Sequence, residues 1–516
     1  MNNKNKLIIP ITIIGISITL IGLSFAYYIA NFNVLNKDNN NIITASSLVE
    51  TILEIPEKPD NTNIYPGYKT VKEYIVKGKG NSKSLPSQAS LIVKPNLGDF
   101  SKYVYWSLYK SNEEITCNNT LDSSINGSSN KGECNIPSSA KLVLSGNEYT
   151  THINMIVNYN TNDKYYLVTE YINSDEDQSG LMGKSFNVDV SLEKPEDSIQ
   201  NRIIAQLDTT GKCPTVNEDG SVNVTGAESE NSLLCSAPDN YGTSYYYRGN
   251  VINNYVKFAN FYWRIVRING DGSIRVIYDG TSAHENGEAS EDRKIGTSAF
   301  NKKNDDNAYV GYMYGTPGSS TYEETHANIN DSTIKKYIDL WYKNNLENTN
   351  YEQYLVDNSF CNDRSINNIV PEGYSNAGYS LEKTAYKWYS YSAIPKNVTL
   401  LCLQRNDNFS VNHIGYGNGN LNYFIATISS EEAAVAGGFN IKNKSFFLYT
   451  GNYYWTLSAF EFDGKNVKSR VVNPYGNVLD WGGAEDTRVG VKPVINLKPN
   501  SLKFGDGTIN NPYTVE

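Results

Sequence analysis

Three groups of side chains in this 516-residue chain have the types and spacing to do chemistry. Tyr453, Tyr454 and Trp455 are adjacent aromatics whose ring faces could stack on the apolar face of a sugar, although aromatics in strand-like text more often end in the core. Core is also the fate expected of Trp263 and Trp341, which follow strand and helix spacing. Asn406, Asp407 and Asn408 offer a run of oxygen donors of the kind that hold calcium, while an ordinary loop explains the same triplet. Asp271, in NGDGS, offers another oxygen that a hairpin turn accounts for equally well. Arg488 and Lys492 flank a Gly-Val turn and could anchor an anionic group, against the plainer reading of solvated or locally paired bases. The ligand-binding candidates are therefore Tyr453, Tyr454, Trp455, Asn406, Asp407, Asn408 and Arg488.

Other chemistry finds no signature. The four histidines, His152, His284, His326 and His413, form no HExxH, and no GxSxG, phosphate loop or paired-carboxylate motif is recognisable. No catalytic residue, metal ligand or cofactor is assigned, although scattered Asp and Glu leave a glycosidase open. Six cysteines, Cys117, Cys134, Cys213, Cys235, Cys361 and Cys402, lie beyond the N-terminal apolar run. Pairing neighbours in sequence is the simplest disulfide framework; other pairings and buried free thiols remain open. A net charge of −10 argues against an electrostatic grip on nucleic acid.

The elements that must position these residues divide the chain into about three folded units' worth of sequence. Leu7 to Ala30 is 24 residues without a charge, preceded by Lys4 and Lys6. That length can span a bilayer, and the flanking lysines place the bulk of the chain outside. Ser24-Phe25-Ala26 supplies the small residues of a cleavable signal as the alternative. The membrane, through this helix, is the expected partner of residues 1–37. A polar linker follows at 38–64. Residues 65–196 carry short alternating runs such as KEYIVKG, QASLIVK and KYVYWSLYK between Gly, Asn and Ser clusters, the pattern of an all-β sandwich. Asp197 is placed to cap a helix over SIQNRIIAQL, opening a helix-and-linker segment at 197–239.

Residues 240–516 mix periods. Phe261, Trp263, Ile265 and Val266 precede Asn269-Gly270-Asp271-Gly272, and Ile274, Val276 and Tyr278 follow, which predicts a hairpin. Asp331 is expected to cap an amphipathic helix bearing Ile334, Ile338, Trp341 and Tyr342. Ser429 with Glu432 spells a capping box, and Gly437-Gly438 a stop. The expected fold class is multi-domain: an N-terminal transmembrane helix, an all-β sandwich, then an α+β lectin-like domain.

Two resemblances extend this. SFAYYIANF followed by PGYKTVKEYIVKGKGN, covering residues 1–195, resembles the camelysin and TasA group of exported bacterial proteins. The metallopeptidase activity described in that group is not carried over, because the region holds only His152. FYWRIV, ISSEEAAVAGG, YTGNYYWTLS and VGVKPVINLK, in that order over residues 240–515, resemble an uncharacterised bacterial surface-domain family related to the C-type-lectin-like and formylglycine-generating-enzyme folds. Cys361 and Cys402 precede the last two motifs, so the oxidase's thiol placement is not matched. The implied protein is a membrane-anchored cell-surface protein with a binding, adhesion or matrix role and a surface glycan or protein as ligand. The alternatives are a surface hydrolase or oxidoreductase acting on glycan or cell wall, and an extracellular fibre subunit.

Overall fold

A computed structural model describes residues 30–32, 42–43, 50–56, 62–80, 87–122, 129–174, 176–193, 198–225, 230–389, 397–413, 415–439, 443–478 and 480–515. The chain divides into two compact units, Met1–Glu196 and Asp197–Glu516.

In the first unit, alternating runs build two facing sheets. One orders Ile42–Ile43, Glu50–Glu54, Lys69–Lys79, Asn162–Tyr171, Val104–Lys110 and Lys141–Gly146, all antiparallel. The other orders Thr151–Val157, Ser87–Asn96, Ser185–Glu193, Ala30–Phe32 and Thr62–Ile64. Tyr74, Val76, Val104, Trp106 and Leu108 from the first meet Leu91, Val93, Val188 and Leu192 from the second in one buried cluster. Period-two alternation puts these residues on inner faces and most Lys and Glu outside, Lys72 being a buried exception in phase with Tyr74 and Val76. A separate antiparallel pair, Thr116–Asp122 with Ser129–Asn135, sets Cys117 directly opposite Cys134, and the two are disulfide-bonded.

The expected transmembrane helix does not stand. No helix among the described residues is long and apolar enough to cross a membrane. Residues 7–29 lie outside the described residues, and the last residue of the apolar run, Ala30, begins a strand paired with Thr62–Ile64. Apolar length alone does not set backbone conformation, and an isoleucine-rich run also suits a strand. The described chain is mostly strand, and the fold class is corrected accordingly.

The second unit begins with the helix Ile199–Ile204, whose cap is Ser198 accepting from the Asn201 N–H. Its sheet runs Leu233–Asp239, Gly242–Arg248, Phe261–Ile268, Ile274–Gly280, Pro493–Leu497 and Ile425–Thr427. Residues 233–239 are thus sheet rather than linker. A second sheet orders Thr384–Ala385, Tyr454–Phe462, Val467–Val472 and Asp480–Gly483. The turn after Ile268 repeats elsewhere. In Asn217 to Ser221, Asn269 to Ser273 and Asn473 to Asn477, a glycine N–H returns to the Asn carbonyl, and Gly220, Gly272 and Gly476 take φ of 78°, 83° and 85°. That left-handed backbone is why glycine holds the fourth place. The helix Thr333–Asn345 is capped by Ser332, not Asp331, which instead pairs with Lys335. Cys213–Cys235 and Cys361–Cys402 complete the three neighbour-paired disulfides.

Candidate functional site

The chemistry-bearing residues of the second unit converge on a small polar recess. The hairpin strands Phe261–Ile268 and Ile274–Gly280 carry Arg267 and Arg275 into the interior, 5% and 2% exposed. Facing them, Ser429 accepts from the Glu432 N–H while the Glu432 carboxylate returns to the Ser429 N–H, which fixes the short helix Ser430–Ala433. The same carboxylate accepts from Arg267 Nε at 3.0 Å and from Arg275 Nη1 at 2.6 Å. Arg267 Nη1 also donates to Asp239 Oδ2 at 2.5 Å, and Arg275 Nη2 to the Ser359 carbonyl at 2.5 Å.

A second ionic group completes the wall. Lys387 Nζ contacts Asp363 Oδ2 and lies 3.3 Å from Glu431 Oε1. Glu431 further accepts from Trp388 Nε1 at 2.7 Å and from Ser458 Oγ at 3.2 Å. The Cys361–Cys402 disulfide, Leu401 and Asn408 close the remaining sides of a cavity of about 20 Å³. That volume holds one or two waters, so a ligand can seat a single polar group there but not a whole molecule.

The electrostatics follow from this pairing. Burial pushes the Glu432 carboxyl up, but Arg275 and Arg267 outweigh it and bring it down to about 2. Asp363 is likewise raised by burial and lowered further by Lys387, ending below the usual carboxylate range. Burial pulls Lys387 down, and Glu431 and Asp363 more than reverse it, holding the ammonium above its ordinary value. These three groups therefore keep their charges throughout the neutral range.

The residues singled out from the sequence are mostly elsewhere. Trp455 is fully buried, its indole N–H donating to the Ser298 carbonyl at 2.8 Å and its ring packed on Phe300. Tyr454 is buried too, with its hydroxyl on the Leu448 carbonyl. Every residue of Tyr454–Phe462 is buried, so neither ring is open to stack on a ligand. Tyr453 is 40% exposed and donates to Asp480. Asp407 is buried in an ion pair with Arg364, and the Asn406 carbonyl accepts from Asn328 and Asn418, so these oxygens are spent on holding loops together. Asn408 alone of the triplet lines the recess. Arg488 is exposed and folded back on Asp486. Lys492 is buried against Asp279 at 3.3 Å. Among the described residues, no group of three His, Cys, Asp or Glu side chains is placed to hold a metal ion.

Sequence reasoning missed Arg267, Arg275, Lys387 and Glu431. The available signal was charge inside apolar strand text, as in FYWRIVRI and SIRVIYDG, where arginine occupies positions that the sheet buries. Comparison of the chain with protein-family models, with curated proteins and with solved structures returns no match.

Proposed function

We propose that this chain acts outside the cytoplasm as a binding, adhesion or matrix protein, its second unit engaging a surface glycan or protein ligand at the recess. One observation carries the reading. The wall residues Glu432, Asp363 and Lys387 are ionised and tied to opposite charges, with their titration moved away from neutrality. General acid–base catalysis works best with a group titrating near the operating pH, whereas fixed, preorganised charges suit hydrogen-bonded recognition. The Lys387 side chain, 19% exposed, gives the recess a polar opening through which a hydroxyl or carboxylate can enter. Three disulfides fit an oxidising compartment.

The test is retention of the full chain on immobilised glycans and cell-wall fractions, compared with Leu401→Trp, which fills the recess without altering its charges. Saturable binding lost in a variant with unchanged melting behaviour is the expected outcome. Equal binding by the variant, or hydrolysis of the immobilised material abolished by Glu431→Gln, would overturn the reading.

A further inference from the structure

Three side chains from distant parts of the chain meet around one nitrogen on the wall of the recess. Lys387 Nζ contacts Asp363 Oδ2 and lies 3.3 Å from Glu431 Oε1, and the Lys387, Asp363 and Glu431 side chains are 19%, 8% and 5% exposed. Asp363 is fixed from behind. Its Oδ1 accepts from the Ser365 N–H at 3.1 Å and from the Ser365 hydroxyl, which leaves Oδ2 as the oxygen facing the lysine. Glu431 is held as firmly, Oε1 accepting from Trp388 Nε1 at 2.7 Å and Oε2 from Ser458 Oγ at 3.2 Å. An amine nitrogen, a carboxyl carbon and a second carboxylate are thereby kept in contact. Two donors already point at the oxygen that gathers charge when that carbon is attacked.

Neighbouring lysine–carboxylate groups differ in ways that matter. Lys492 faces Asp279, but the other charges around it are Arg293 and Arg264, so no second carboxylate stands ready to move its protons. Lys335 lies between Asp331 and Asp339, each four residues away, where a bond would close a single helical turn. Lys468 meets Glu461 and Asp463, but the Asp463 side chain is 26% exposed and belongs to the same hairpin. Asp363 and Lys387 are 24 positions apart. Between them the only regular element among the described residues is the strand Thr384–Ala385. A covalent tie there would therefore fasten a long irregular segment, beside the Cys361–Cys402 bridge that fastens its start.

We infer that Lys387 and Asp363 join in an intramolecular isopeptide bond, with Glu431 relaying the protons. Glu431 takes a proton from the ammonium and passes it to Asp363 Oδ2, leaving an amine beside a carboxylic acid. The nitrogen lone pair attacks Asp363 Cγ, and charge gathers on Oδ1, where the Ser365 donors receive it. Glu431 moves a second proton from the nitrogen to Oδ2, the Cγ–Oδ2 bond breaks and Oδ2 leaves as water. The nitrogen has lost two protons, the water has gained them, and Glu431 ends as it began; nothing is oxidised or reduced. All three side chains line the recess, which has room for that water. The resting ion pair slows the first transfer, but the bond forms once per molecule. Its driving force is contact, worth an effective concentration of up to about 10⁵–10⁸ M, and the replacement of two buried charges by a neutral amide. The amide leaves a fixed donor and acceptor on the wall, so recognition at the recess stands or falls separately.

The purified full chain would be reduced, digested and mapped by mass spectrometry beside Lys387→Arg, Glu431→Gln and Lys468→Arg. The native chain and Lys468→Arg should yield a branched peptide carrying Lys387 and Asp363, lighter by one water than its two parts. Lys387→Arg should lack it. Glu431→Gln keeps the side chain's shape but cannot accept the proton, so linkage should form at least about a hundredfold more slowly in a chain with an unchanged circular dichroism spectrum. A separate, unlinked Lys387 peptide from the folded native chain would overturn the inference, whatever the variants do. So would a water lost elsewhere, between Lys468 and Asp463 or as a cyclic imide at Asp271-Gly272. Linkage at the native rate in Glu431→Gln would overturn the step as written.

Discussion

The two units differ in how much charge they bury and on which residue: the sandwich buries Lys72, the second unit seven arginines. None of the first 201 residues is an arginine, and all ten arginines of the chain belong to the second unit. In the sandwich, ion pairs such as Lys77 with Glu54 and Lys110 with Asp163 sit outside, each side chain more than a third exposed. In the second unit, Arg248, Arg264, Arg267, Arg275, Arg293, Arg364 and Arg470 are all buried. A planar guanidinium with five donors can satisfy several acceptors in a dry interior, which an ammonium on a flexible stem does less well. Arg264 illustrates this, donating to Asn254, Asn286 and the Val251 carbonyl while stacking 3.8 Å from the Tyr255 ring centre. The sandwich is held by apolar burial between regular strands. The second unit, with long irregular segments between short strands, uses buried polar networks to fix those segments in place.

That contrast can be broken most severely at Glu432. Glu432→Ala leaves Arg267 and Arg275 without their shared carboxylate and should cost the second unit about 3–5 kcal/mol, read as a lower urea midpoint. Next comes the Cys361–Cys402 bridge, which spans 41 residues. Its replacement by a pair of serines should cost about 2–4 kcal/mol, more than the same change at Cys117 and Cys134, which span 17. Equal losses at the two bridges would show that loop closure does not set their contributions.

A third test sharpens the comparison through pH. Burial pulls the Lys492 ammonium from 10.5 down to about 7, with Asp279 opposing and Arg293 reinforcing. Between those values the unfolded chain holds a proton that the folded chain has released, so stability rises with pH across the window by up to about 1.4 kcal/mol per unit. Lys492→Met should flatten that rise and stabilise the protein below about pH 7, checked by urea midpoints from about pH 6 to about pH 9. Asp279 keeps Arg293, at 2.8 Å, as its partner in the variant. Lys72 in the sandwich is lowered by burial to about 8, with Asp189 opposing, so a smaller rise of the same sign should survive. The smallest effect belongs to Lys110→Ala, where loss of an exposed pair should change stability by less than about 1 kcal/mol. A loss comparable to that of Glu432→Ala would erase the distinction between the units.

Local signals were legible in the sequence wherever the physics is local. The NGDG turn marked its hairpin, because left-handed backbone at Gly272 admits few residues. SSEE marked a capping box that the structure makes in full. Helix starts were off by one at Ser198 and Ser332, since each follows an aspartate with the same capping chemistry. The site was not legible. YYWTLSAFEF, which holds Trp455, reads as a half-exposed strand until another layer covers its second face. The 24-residue apolar run satisfied a length rule that says nothing of conformation.

What the sequence determined by itself was therefore the placement of most strands and turns, the Ser429 capping box, the other helix starts to within one residue, and the absence of a familiar catalytic motif, since these depend on residues within a turn or two of one another. Tertiary structure alone decided which aromatic is buried, which arginines share Glu432, and that Lys387 meets both Asp363 and Glu431. Those contacts join residues 24 to 165 positions apart, and no local propensity encodes which face of a strand another layer will cover.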